Sequence, residues 1–278
     1  MSHLFVSPFE IRLGDGGIIR GEVRAAKKPG DRPALFLAHG FKGFKDWAFM
    51  PYAAEKLAEA GFVAITFNFS RNGVGEQDFD ELSKFGYNTY TREQADLAEV
   101  LKAAIGGNLP HAGLIQRAKL GMIGHSRGGG NALIFAAEHP LIRAAATWNG
   151  IARANLFDDA FEAKAREEGV AYVTNSRTRQ EMPVRREFFE DLDANKDRFD
   201  IPARLAGLRI PVLMIQGSDD APRLVEGFHR LQEAAPHQPA IELEGTGHTF
   251  GAVHPFAGTT EALEQALNAT IDFFKANL

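Results

Sequence analysis

Gly124-His125-Ser126-Arg127-Gly128 sets one hydroxyl between two glycines, directly after the apolar run Leu120-Gly121-Met122-Ile123 and ahead of Asn131-Ala132-Leu133-Ile134-Phe135-Ala136-Ala137. The first run reads as a strand and the second as a helix. Ser126 therefore falls on a sharp strand-to-helix turn, the setting in which G-x-S-x-G presents a nucleophile. Such a turn holds its central residue at strained backbone angles, so the positions two before and two after must be small for the chain to double back. Gly124 and Gly128 meet that need. Gly129 and Gly130 extend the small patch, and the helix that follows aims its positive end at the place where negative charge would develop.

A serine hydroxyl is a weak nucleophile at neutral pH and needs a base that is itself oriented by a third group. Both partners lie downstream. Asp220 follows the apolar run 211–216 in Gln216-Gly217-Ser218-Asp219-Asp220, and His248 follows the run 240–243 in Glu244-Gly245-Thr246-Gly247-His248-Thr249-Phe250. All three residues come after the carboxyl ends of predicted strands, where parallel sheets gather their sites, and they run in the order Ser, Asp, His. His248 would take the Ser126 proton on one ring nitrogen and donate from the other to the acid. Spacing alone leaves that acid open by one residue, since Asp219 stands beside Asp220. A tetrahedral intermediate also needs two N–H donors. Arg127, directly after Ser126, supplies one, and Phe41 in the His39-Gly40-Phe41-Lys42-Gly43 loop is the expected second.

The elements that must position these groups alternate short apolar runs with amphipathic stretches. An opening hairpin (10–13 and 18–25, turning at Gly14-Asp15-Gly16-Gly17) precedes strands over 34–38, 62–67, 143–148, 211–216 and 240–243 and the strand that enters the elbow. Helices are expected over 52–60, 91–105 (with Glu93 supporting the first turn), 223–234 and 259–277, besides the one after Ser126. Strands separated by helices imply an α/β chain with a mostly parallel, doubly wound sheet. About sixty residues between Trp148 and Pro211 break the rhythm and are rich in charge and aromatics. That is too long for a plain loop. The division is a core of residues 1–150 and 207–278 with a cap insertion over 151–206. Trp148, at the end of its strand, and Phe157 and Phe188 in the insertion are the expected substrate contacts.

Composition narrows the classes. The 278 residues, 45% hydrophobic, suffice for one sizeable core, and a net charge of −5 with no basic block leaves nothing to neutralise a nucleic-acid backbone. The chain has no cysteine, which excludes disulfides and thiolate metal sites and suits a reducing cytoplasm, the expected location. No stretch approaches a membrane span. His248 and His254, six apart among Gly and Pro, are poorly spaced to bind a metal from one helical face, and none is expected. Gly73-Val74-Gly75 lacks the third glycine and the helix of a dinucleotide loop, so no nucleotide is implied. The acidic run Glu76, Asp78, Asp80, Glu81 reads as a solvated loop. Arg177 and Arg179 could meet a substrate carboxylate, although solvated arginines are the commoner case.

Over nearly its whole length the chain resembles the α/β-hydrolase superfamily. The combination of His39-Gly40-Phe41, Phe67-Asn68-Phe69-Ser70 with Gly73 and Gly75, the elbow, and Gly247-His248-Thr249-Phe250 is similar to the small capped esterases, including feruloyl or cinnamoyl esterases, and to dienelactone-hydrolase and prolyl-oligopeptidase-type catalytic domains. The resemblance implies Ser126, Asp220 and His248 as triad, with Asp220 favoured over Asp219 by family spacing, Phe41 and Arg127 as oxyanion donors, a small-molecule ester as substrate, and no cofactor. Two departures stand out: there is no room for a β-propeller, and a serine stands where dienelactone hydrolases often carry cysteine. Two alternatives accompany the esterase reading. One is an aminopeptidase-type serine peptidase, for which Glu187, Glu190 and Asp191 could hold a substrate ammonium. The other is a non-catalytic ligand-binding protein of the same fold.

Overall fold

The structure, a computed structural model, describes residues 3–278. Its centre is an eight-stranded sheet in the order β1-β2-β4-β3-β5-β6-β9-β10, built from β1 (Leu4–Arg12), β2 (Ile18–Ala26), β3 (Arg32–Ala38), β4 (Val63–Asn68), β5 (Ile115–His125), β6 (Ile142–Trp148), β9 (Val212–Gly217) and β10 (Ala240–Leu243). The β1–β2 and β2–β4 pairs are antiparallel, and the five pairs from β4 through β10 are parallel. The doubly wound, mostly parallel sheet expected from the alternation is thus present, as an α/β-hydrolase fold.

Parallel strands covered on both faces must be apolar at every position, and β3 shows how the two faces divide. Ala34, Phe36 and Ala38 join one core cluster, with Ile65, Phe67, Met122, Leu133 and Leu231, while Leu35 and Leu37 join the other, with Phe49, Leu57, Ile123, Leu267 and Phe274. Helices α1 (Met50–Glu59) and α9 (Glu261–Asn277) cover the second face; α3 (Tyr90–Ile105), α4 (Arg127–Glu138) and α8 (Pro222–Ala234) cover the first. A one-turn helix, α2 (Leu82–Phe85), lies in the loop after β4.

Residues 151–206 are not wholly helical. They contain α5 (Asp159–Glu168), a hairpin of β7 (Val170–Thr174) and β8 (Glu181–Arg185), α6 (Arg186–Ala194) and α7, which runs to Gly207 (Ile201–Gly207). Side chains fasten the segment to the core at several points. Arg198 and Arg204 both donate to Glu138 of α4, Tyr90 Oη donates to the Ala154 carbonyl at 3.0 Å, and Arg177 pairs with Asp78 at 2.6 Å. Gln180 also reaches the Phe79 carbonyl. Arg177, a candidate carboxylate contact by sequence, is therefore committed to holding the hairpin.

Candidate active site

The elbow is as tight as its glycines require. Ser126 sits at φ 56°, ψ −122° between β5 and α4, a conformation costly for any residue with a side chain. A Cβ on Gly124 would stand 2.0 Å from the Gly128 carbonyl oxygen, and one on Gly128 would stand 2.2 Å from that of Ala38. No other residue type fits either position without moving backbone.

Asp220 and His248 meet as the sequence order suggested. His248 Nδ1 lies 2.8 Å from Asp220 Oδ2, which fixes the proton on Nδ1 and leaves Nε2 without a partner among the described residues; His248 and Ser126 line the same cavity. Asp220 is buried, and its carboxylate also accepts from the Ala221 N–H (2.7 Å) and Gln216 Nε2 (3.1 Å). Burial alone would raise its pKa, yet the bonds from His248, Ala221 and Gln216, with the His248 charge, outweigh it and hold the carboxyl below its ordinary value. Asp219 is exposed and accepts only from its neighbour Ser218. Of the two carboxylates that spacing left open, Asp220 is the one bonded to His248.

Two further residues hold His248 in place. The His248 carbonyl accepts from His125 Nε2 at 2.8 Å and from Asn149 Nδ2 at 2.9 Å. Asn149 Oδ1 in turn accepts the Gly217 N–H at 2.7 Å, so one buried amide ties the loop carrying the histidine to the end of the strand carrying the acid. Asn149 has φ 48°, a region that asparagine tolerates better than most residues. Burial, with His248 adjacent, lowers the His125 pKa to about 3 and keeps that ring neutral. Sequence reasoning missed both residues. Their only signals are the variable position of the elbow motif and a polar residue directly after an apolar strand.

The two expected oxyanion donors are available. Neither the Phe41 nor the Arg127 backbone N–H has a hydrogen-bond partner among the described residues. Gly40 lies against Ser126, since a Cβ there would be 2.9 Å from Ser126 Cβ. His39 fixes this loop by donating from Nδ1 to the Gly40 carbonyl (2.9 Å) while Nε2 accepts from the Phe69 N–H (3.3 Å); burial lowers its pKa to about 4 and keeps it neutral. The Arg127 guanidinium is fully buried, bonded to Glu93 at 2.9 Å and stacked 4.2 Å from the Tyr90 ring centroid. Glu93 also accepts from Asn88 and Asn131, so beyond its place in the first turn of α3 it anchors the start of α4.

The expected substrate contacts separate. Phe157 lines the cavity of about 660 Å³ beside Ser126, with Phe41, Phe161, Val173 and Lys42. Phe188 does not: it is buried behind Phe157, its ring centroid 5.7 Å away. Trp148 is a correction. Its side chain points to the α9 face of the sheet, where Nε1 donates to Thr270 Oγ1 at 2.9 Å, because the alternation of β6 sets it with Ala144 and Ala146 in the second core cluster. Glu187, Glu190 and Asp191 do not line the cavity; Asp191 instead bonds the Thr91 N–H at 3.0 Å.

The weaker motifs resolve into structure. The N–H groups of Gly75, Glu76 and Gln77 all donate to the Asp80 carboxylate, so this loop closes on its own aspartate, and that member of the acidic run is structural. His254 Nδ1 accepts the Ala48 N–H at 2.8 Å. Among the described residues no group of three or more His, Cys, Asp or Glu could hold a metal, and no helix is long and apolar enough to cross a membrane.

The overall shape recurs in known hydrolases. Est1E from Butyrivibrio proteoclasticus, solved with ferulic acid bound, superposes with a TM-score of 0.70 at 17% identity, covering 97% of this chain and 98% of that one. A dienelactone hydrolase from Anabaena variabilis gives 0.64 at 16% identity with 100% of each chain covered. In sequence, 2,6-dihydropseudooxynicotine hydrolase of Paenarthrobacter nicotinovorans is 27% identical over 161 residues, 57% of this chain but only 39% of that protein's own length. The family model described as the dienelactone hydrolase family matches residues 19–176, which run from the opening hairpin through the elbow into the insertion. This match extends over more than half of the chain, and the protein belongs to the dienelactone hydrolase family of α/β-fold hydrolases.

Proposed function

We propose that the protein is a serine carboxylesterase acting on small or medium acyl or aryl esters through an acyl-enzyme. Ser126 Oγ attacks the ester carbonyl while its proton passes to His248 Nε2, and the oxyanion is held by the Phe41 and Arg127 N–H groups. The tetrahedral intermediate collapses as the imidazolium returns that proton to the departing alkoxide. Water then gives a proton to Nε2 as it attacks the acyl carbonyl, and the second tetrahedral intermediate collapses as that proton passes to Ser126 Oγ, releasing the acid. Asp220 keeps the Nδ1–H tautomer and stabilises the transient positive charge.

The observation that carries this reading is the strained Ser126 sharing a cavity with a histidine whose Nδ1 is bonded to a buried carboxylate at 2.8 Å. A protein that only bound its ligand would need neither the strain nor the pairing. In the same reading residues 151–206 act as a cap, supported by the contribution of Leu156, Phe157, Phe161 and Val173 to the cavity wall. No acid among these lining residues suits a substrate ammonium better than Asp158, which already caps α5, so the ester reading is preferred to the peptidase one. The test is a panel of 4-nitrophenyl esters and aminoacyl anilides together with a fluorophosphonate probe. Ester turnover with the label on Ser126 is expected; turnover of anilides alone, or a label on another residue, would overturn the assignment.

A further inference from the structure

A second cavity adjoins the one beside Ser126. Ile151, Leu156, Phe157, Asp158, Arg223 and Leu224 line both, and the second, of about 230 Å³, lies between segment 151–158 and α8. Spacing builds one wall of this second lobe. Arg223, Gly227 and Arg230 recur four and three positions apart on α8 and so share one helix face. At its middle Gly227 lets the helix approach closely, since a Cβ there would be 3.2 Å from Ala152 Cβ. Arg153 lines the lobe from the opposite segment.

Among the described residues the three arginines of this lobe, all exposed, pair with no carboxylate. Arg153 and Arg230 make no hydrogen bond or ion pair among the described residues, and Arg223 gives one N–H to the Leu156 carbonyl at 2.8 Å. Elsewhere in residues 151–206, Arg166, Arg177, Arg198 and Arg204 are each held by a carboxylate, while Arg179 and Arg186 are not. Two acids also line the lobe, Asp158, which caps α5 by accepting the Phe161 N–H at 2.8 Å, and Glu226, so three guanidinium groups face two carboxylates. A guanidinium fork matches a carboxylate, phosphate or sulfate through paired N–H bonds, and it does so best when no protein acid already fills it.

We propose that the second lobe is a distal anion subsite, which receives the negatively charged far end of an extended ester while the carbonyl sits at Ser126. This rests on the esterase reading above. It adds that the preferred substrate is long enough to pass Phe157 and carries a carboxylate, phosphate or sulfate beyond it.

Matched ester pairs test the subsite: 4-nitrophenyl hemiesters of dicarboxylic acids from succinate to sebacate against the corresponding neutral methyl diesters, and a second series with the carboxylate on the alcohol side. Over a window of chain lengths in one series, kcat/KM for the charged member should exceed that of its neutral partner by about tenfold, and added salt should erode the preference. The double variant Arg153→Gln/Arg230→Gln should bring the ratio close to parity, and Glu226→Gln, which removes one of the opposing acids, should raise it. Parity at every length in both series, or a ratio that the double variant leaves unmoved, overturns the subsite while ester turnover keeps the parent reading. Failure to turn over any ester overturns both.

Discussion

Asn149 Nδ2 donates to the His248 carbonyl at 2.9 Å while Oδ1 of the same amide accepts the Gly217 N–H at 2.7 Å. The proposed base and the strand end that precedes the proposed acid are therefore positioned by one buried side chain. Asn149→Asp keeps the size but replaces the donor with a second acceptor facing a carbonyl. Displacing a catalytic group by about 1 Å can cost about 10²-fold in rate, so kcat should fall by about 10- to 100-fold with KM little changed. A merely structural role would lower the melting temperature without this split. The low-field NMR resonance of the His248 Nδ1 proton should shift or vanish in the variant, and an unaltered resonance with full kcat would remove Asn149 from the machinery.

The pairing of His248 with Asp220 ranks the two neighbouring carboxylates. Asp220→Asn should lower kcat by about 10³-fold or more through loss of the oriented tautomer, whereas Asp219→Asn should stay within about threefold of wild type. Ser126→Ala should cost about 10³-fold or more and leave the fold intact. Steady-state kinetics on one small ester settles the ranking, and the reverse order would move the acid by one residue.

Much of this arrangement is legible in the sequence because it depends on backbone demands that few residue types meet. Gly124 and Gly128 announce the elbow, since any side chain there would collide with main chain, and the strands β3 to β6 and β9 declare themselves as apolar runs buried on both faces. The carboxylate that pairs with His248 was legible only to within one residue, because Asp219 and Asp220 differ in which way the loop turns them and not in type. Trp148 was misplaced for a related reason: the end of a strand gives its distance from the site but not its face, and a one-residue change of parity moves a side chain to the other side of the sheet. The hairpin of β7 and β8 escaped because its strands are five residues each, with Pro183 inside one and charged residues around them. The buried Glu93–Arg127 pair could not be read from either residue alone, as each also suits an exposed helix turn.

Asp96 carries a pH dependence of stability. It is buried in α3, where Oδ2 accepts the Ser70 N–H at 2.6 Å and Oδ1 accepts the Ser70 hydroxyl at 3.0 Å, and burial, opposed by those bonds, raises its pKa to about 7. Below the ordinary carboxylate range, both folded and unfolded chains hold this proton. As pH rises from there to about 7 the unfolded chain releases it first, so folding stability falls, and above about 7 the full cost of the buried charge remains. Asp96→Asn removes that cost while its amide can still bond Ser70. The variant should gain more over wild type at pH 8 than at pH 5, by on the order of 2 kcal/mol. Urea unfolding at the two pH values measures it, and an equal effect at both would show that Asp96 is ionised throughout.

Phe157 and Phe188 sit in contact, yet only one faces the cavity, and this divides their expected effects. Phe188 is buried against Tyr90, Phe157 and Phe189. Truncation to alanine would open a void in the packed core at a cost of about 3–5 kcal/mol, with a lower melting temperature and a similar loss of activity on every ester. Phe157 stacks on Phe161 with ring centroids 4.4 Å apart and meets Phe41 edge-on at 5.7 Å, and it forms wall of both the Ser126 cavity and the second lobe. Phe157→Ala should cost less stability and should reorder substrates, because only acyl groups long enough to touch that wall use its contact in the transition state. Kinetics across acetate, butyrate, octanoate and an aromatic acid ester measures the difference. A uniform loss on all four with Phe157→Ala would place this ring with Phe188 as support for the fold.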